Sequence, residues 1–111
     1  MHEMSITQGI VDICLQHAAG RRITSVLIEI GALSGVVPEA IDFCFSACSC
    51  DTTAENARLT ILQTEGRGRC LECMLEQPVE RLYNSCRQCG SYSLEILSGE
   101  EMRVVEIEVD D

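Results

Sequence analysis

The chain contains no lysine, only two histidines, no internal repeat and no low-complexity segment. Each absence removes a class of function. No apolar run approaches the ~20 residues that a membrane span requires, so a soluble protein with no membrane partner is expected. All eight basic residues are arginines, set against eighteen acidic ones for a net charge of −10. A phosphate backbone would be repelled by such a surface. The four arginines that crowd together, Arg67, Arg69, Arg81 and Arg87, are interleaved with Glu65, Glu72, Glu76 and Glu80. They form no basic stripe, and no nucleic-acid partner is expected.

Cysteine, by contrast, is abundant, with eight in 111 residues. Four form two matched pairs, Cys70-Leu71-Glu72-Cys73 and Cys86-Arg87-Gln88-Cys89, separated by twelve residues. Each C-x2-C turn aims two thiolates at one tetrahedral ion, and two such turns fill all four positions of a structural zinc site. A closed site holds a fold together and leaves no position for chemistry. Two disulfides are the rival reading. No secretory signal opens the sequence, however, and Cys14, Cys44, Cys48 and Cys50 would remain as further thiols in an oxidising compartment. A reducing cytoplasm accounts for all eight together. Gly90 follows the second pair, and Gly66 and Gly68 precede the first, where turns around a metal are expected to need backbone freedom. A rubredoxin-like electron carrier would use the same four cysteines for iron. With a saturated four-thiolate site and two histidines, no open metal position for hydrolysis can be drawn, so the chain is read as a non-enzyme.

The length suits one small domain carrying a metal-stapled module. Residues 5 to 18 predict an amphipathic helix with Ile6, Ile10, Ile13, Cys14 and His17 on its apolar face, Ser5 as N-cap and Gly20 as stop. Residues 23 to 31 predict a strand with Val26, Ile28 and Ile30 on one face. Pro38 and Glu39 open a second helix ending near Ser49, its inner face Ile41, Cys44, Phe45 and Cys48. A short strand over 59 to 63 leads into the cysteine module. A last strand over 102 to 109 places Val105, Ile107 and Val109 opposite Glu106 and Glu108. The expected fold is therefore α/β in the α+β sense. Two helices and a small three-stranded sheet make one domain, residues 1–65 with 98–111, and a four-cysteine zinc-ribbon-like module over 66–97 is inserted into it. Cys14, Cys44 and Cys48 are read as small core side chains, and His17 as a partner of the helix dipole.

The opening Met1-His2-Glu3 is the second chemically loaded place. A histidine at position two can bring its imidazole Nδ1, its own backbone nitrogen and the terminal amine around one ion. Such in-plane nitrogen sets suit Ni(II) or Cu(II). Glu3 stands ready as a further ligand or as an acceptor orienting the imidazole. Alone this is a short pattern at a chain end.

Taken in order, Met1-His2-Glu3 with Ser5, Glu29-Ile30-Gly31-Ala32-Leu33-Ser34 followed by Pro38-Glu39, both C-x2-C pairs with Cys89-Gly90-Ser91, and the closing Ile107-Glu108 resemble the HypA/HybF family of hydrogenase-maturation nickel chaperones. The resemblance spans nearly the whole chain. It implies a transferable Ni(II) site anchored by His2, with the Met1 amine and Glu3 as further ligands, and structural Zn(II) on Cys70, Cys73, Cys86 and Cys89. It implies delivery of nickel through a GTPase partner to the large subunit of a [NiFe]-hydrogenase, with urease maturation proteins as further partners in some organisms. A monomer and a homodimer are both compatible with it. The chain departs from the pattern at three places. Gly35-Val36-Val37 offers no side-chain ligand where some members carry an acidic residue. Arg87 stands where many have proline, and Asn56 where many have glycine.

Overall fold

The computed structural model describes residues 2–110. Element order is α1 (Glu3–Ala18), β1 (Arg22–Gly31), α2 (Pro38–Ser49), β2 (Arg58–Thr64), β3 (Arg67–Cys70), β4 (Glu76–Pro78), β5 (Leu94–Ser98) and β6 (Met102–Asp110). The strands form two three-stranded sheets, ordered β2-β1-β6 and β4-β3-β5. The α+β expectation holds, and the strands before and after the cysteine module flank β1 as predicted.

In the first sheet β1 is central, parallel to β2 and antiparallel to β6. Its β-branched alternation places Val26, Ile28 and Ile30 on the inner face, each at most 1% exposed. Ile10, Val11 and Cys14 of α1, with Ile41, Phe45 and Cys48 of α2, complete the core. On the other face Glu29 accepts hydrogen bonds from Thr64 Oγ1 and from Arg103 Nε, the latter at 2.6 Å. These tie β1 to both neighbours and hold the Glu29 carboxyl below its ordinary range, the Thr64 hydroxyl acting most strongly and Arg103 next.

Three expectations are corrected. Helix α1 begins at Glu3 with His2 as N-cap, a turn ahead of Ser5, because Met4 packs its sulfur 3.3 Å from Cys48 Sγ on α2 and so draws the first turn into the helix. Its buried stripe is Thr7, Ile10, Val11, Cys14 and Ala18. Ile13 and His17 lie beside it, lining a groove against Val104, Val105 and Ile107. Small residues at Thr7 and Ala18 face inward because α1 meets the sheet and α2 at once, and close approach favours little side chain. Finally, β6 carries a register shift between its pairings with Leu27 and Ile28, so Val105 turns out to 42% exposure and Val104 takes the half-buried place beside Ile107 and Val109.

The molecule measures 54 × 27 × 17 Å, with a radius of gyration of 17.2 Å. A compact chain of about 100 residues has about 13 Å, so the two sheets lie along a long axis. Their meeting point is a knot of glycines. A Cβ on Gly31 would stand 2.0 Å from Gly99 O, one on Gly66 2.1 Å from Val79 O, and one on Gly99 2.6 Å from Gly66 Cα. Backbone bonds from Gly31 N to Glu101 O (2.7 Å), Leu33 N to Gly99 O (2.6 Å) and Val79 N to Gly66 O (2.8 Å) lace the knot. Gly66 and Gly68 therefore serve close backbone approach, and neither has the positive φ that a metal turn would demand.

Candidate metal centre

The two C-x2-C segments fold into the same turn twice. In the first, Cys70 N donates to Leu75 O (2.9 Å), Met74 N to Cys70 O (2.8 Å) and Cys73 N to Cys70 Sγ (3.4 Å). In the second, Cys86 N donates to Ser91 O (2.7 Å), Gly90 N to Cys86 O (3.0 Å) and Gln88 N to Cys86 Sγ (3.4 Å). Both turns close on a left-handed residue four places after their first cysteine, Gly90 at φ 78° and Met74 at φ 67°. The glycine is legible in the sequence. The methionine is not, because nothing but the tertiary demand for a matching turn puts a side chain in that region.

These turns bring the four sulfurs together, all within 4.8 Å of one another. Cys70 and Cys89 approach to 3.5 Å, and Cys73 and Cys86 to 3.6 Å. A tetrahedral ion with Zn–S bonds of ~2.3 Å sets its sulfurs about 3.8 Å apart, so the donor set fits such an ion with a few tenths of an ångström of movement. All eight cysteines are free thiols, which sets aside the disulfide reading in this structure.

Protons are unevenly held. Cys86 is brought down to about 6, first by the Cys89 backbone N–H and then by the Gln77 side-chain amide. At Cys89 the Ser91 N–H favours the thiolate, but the Cys70 thiol, burial and the other sulfurs outweigh it and push the group up to about 12. Four thiols in one pocket cannot all ionise against each other. A divalent cation removes that repulsion and takes all four as thiolates.

At the start of α1, His2 is exposed and caps the helix through its backbone, its carbonyl accepting from Ile6 N at 2.9 Å. Its imidazole makes no side-chain cap hydrogen bond. Glu3 is the acidic residue of the first turn. Met1 lies outside the described residues. Cys14, Cys44 and Cys48 are buried as expected. The Cys48-Ser49-Cys50 pattern is split by the end of α2: Cys48 faces Met4, whereas exposed Cys50 stands with Asp51 and Glu55, their ligand atoms within 4.8 Å of one another. That grouping depends on the left-handed turn at Asp51 (φ 62°), which no local sequence signal announces.

A family model described as "Hydrogenase/urease nickel incorporation, metallochaperone, hypA" matches residues 1–109. The chain belongs to the HypA family. A "Hydrogenase maturation factor HypA" from Geotalea uraniireducens is 54% identical over 110 residues, covering 99% of this chain and all of the relative. One of the same name from Crocosphaera subtropica is 43% identical over 111 residues, covering 100% of this chain and 97% of the relative. In fold, this HypA-family chain is similar to the solution structure of the Ni metallochaperone HypA from Helicobacter pylori, with a TM-score of 0.71 at 24% identity, covering 98% of this chain and 97% of that one. As a HypA-family member it is a nickel metallochaperone of hydrogenase maturation.

Proposed function

We propose that the chain takes Ni(II) at its amino-terminal end, with His2 as anchor and the Met1 amine and Glu3 as further ligands, while Cys70, Cys73, Cys86 and Cys89 hold structural Zn(II). Residues 1–65 with 98–111 form the nickel-binding domain, and 66–97 the zinc-binding module. The reading is of a carrier, not a catalyst, working in the cytoplasm. It hands nickel to a GTPase partner and through it to the large subunit of a [NiFe]-hydrogenase. The observation that carries the division of labour is the contrast between the two ends. Four sulfurs converge into a donor set with no position left over, whereas His2 stands exposed at a helix start with no side-chain cap hydrogen bond. An open site lets an incoming partner exchange ligands, and a closed one holds its ion.

Family membership favours this reading over a rubredoxin-like electron carrier that would put iron on the same thiolates. The two differ at once in colour, since Fe(III) thiolate absorbs in the visible and zinc thiolate does not.

The deciding experiment is calorimetric titration of Ni(II) into zinc-loaded protein with its native amino terminus, beside His2→Ala and a version extended by a few residues before Met1. One tight equivalent in the native protein, lost in both variants, is expected. Equal binding in all three would remove His2 from the site. Affinity is further expected to fall steeply below about pH 6.5, because the imidazole and amine must shed protons to coordinate.

A further inference from the structure

The four sulfurs are not equivalent, and one side chain outside the cysteine motif makes them so. Gln77, on β4 opposite Gly68 of β3, is 3% exposed, and both ends of its amide are committed. Nε2 donates to Cys86 Sγ at 3.4 Å, and Oε1 accepts from Arg87 N at 3.0 Å. The second bond fixes which way the amide points and so keeps its N–H on the sulfur. Among the described residues, Cys86 is the one sulfur of the four that accepts a hydrogen bond from a side-chain amide as well as from backbone. Burial sets Cys89 apart from the others without singling out Cys86. Cys70 and Cys86 are at most 3% exposed, Cys73 is half-buried and Cys89 is exposed.

We propose that Gln77 is a positioning residue that shields the Cys86 sulfur from electrophiles, so that thiol reagents attack first at the Cys89 corner. This rests on the reading of the four cysteines as a metal site. The physical reason is that a hydrogen bond to a thiolate withdraws charge from sulfur and lowers its nucleophilicity, and holds the ligand in place through the partner's own restraints. Arg87 belongs to the device through its backbone: a proline there has no N–H, and Gln77 Oε1 would lose its partner.

The test uses zinc-loaded full-length protein, Gln77→Met and Arg87→Pro. Gln77→Met keeps the bulk and removes the N–H. Arg87→Pro keeps Gln77 and removes its orienting bond. Three readouts are taken: metal content, the order in which the cysteines are alkylated by limiting iodoacetamide, resolved by peptide mass spectrometry, and the thiolate-to-metal charge-transfer band after Co(II) substitution. In the native protein Cys89 is expected to react first and Cys86 last. In Gln77→Met, Cys86 alkylation is expected to speed up about tenfold, the scale of one charge-assisted hydrogen bond, with a charge-transfer band moved to lower energy and the metal still bound. Arg87→Pro is expected to move both readouts in the same direction by less.

If native Cys86 reacts as early as Cys89, the proposal is overturned without recourse to any variant. It is also overturned if Gln77→Met leaves the order and the band unchanged. Native protein that holds no zinc would instead refute the metal assignment itself, and the metal-content readout separates that failure from the others.

Discussion

At the scale of single residues, the centre is built by backbone geometry before it is built by ligands. Each C-x2-C turn needs a left-handed residue at its close, and Met74 supplies it at a steric cost of about 1–2 kcal/mol that Gly90 does not incur. Met74→Gly is therefore expected to stabilise the protein by up to about 1 kcal/mol, the relief being reduced by glycine's greater freedom in the unfolded chain. Thermal unfolding of the zinc-loaded protein checks it, and a lower midpoint would mean that exposed Met74 has a contact outweighing its strain. Asn56, at φ 67°, makes the same demand with a residue that tolerates it better. That is why its place in the family pattern can be filled without glycine.

At the scale of elements, β1 does most of the organising, since both β2 and β6 bond to it and its inner face is the floor of the core. The Glu29 carboxylate joins all three strands. Its pKa lies below the ordinary value, so the stability it adds is fully present above about pH 4.5 and is lost as pH falls through the lowered value. Glu29→Gln is accordingly expected to lower the melting temperature at neutral pH, with the gap from native narrowing as the solution is acidified into that range; a constant gap would refute the linkage. The glycines separate by the same logic of place. Gly99→Ala combines φ +110° with a Cβ 2.6 Å from Gly66 Cα, and is expected to cost about 2 kcal/mol or more. Gly9→Ala, in the interior of α1 with nothing within 4 Å, is expected to stabilise by about 0.5–1 kcal/mol. Denaturant unfolding of the two variants side by side measures the contrast.

At the scale of the whole molecule, two sheets of unequal self-sufficiency share one glycine knot. The β2-β1-β6 sheet has two helices and a continuous apolar core behind it. The β4-β3-β5 sheet has short strands, and the buried side chains around it include Cys70, Cys86, Val79 and Gln77. With the four cysteines read as a zinc site, a module with so little apolar burial would draw much of its folding free energy from the metal. Chelating zinc from the protein is expected to abolish amide-exchange protection across β3, β4 and β5 while β1 keeps its own. Protection retained in all three strands would show the module to be self-supporting.

The sequence by itself determined the parts that depend on periodicity and spacing. The β-branched alternation of β1, Pro38 and Glu39 at the start of α2, and the paired C-x2-C turns are local signals, because each is set by residues within a few positions of one another. The tertiary structure alone decided the rest. The first turn of α1 forms because Met4 finds Cys48 across the helix pair, and Val105 turns outward because the register of β6 shifts against β1. Gly66 and Gly99 meet from positions 33 residues apart, and Gln77 reaches a sulfur that no spacing rule connects to it. Those outcomes turn on contacts between distant segments, whose distances do not exist until the two sheets have formed and met.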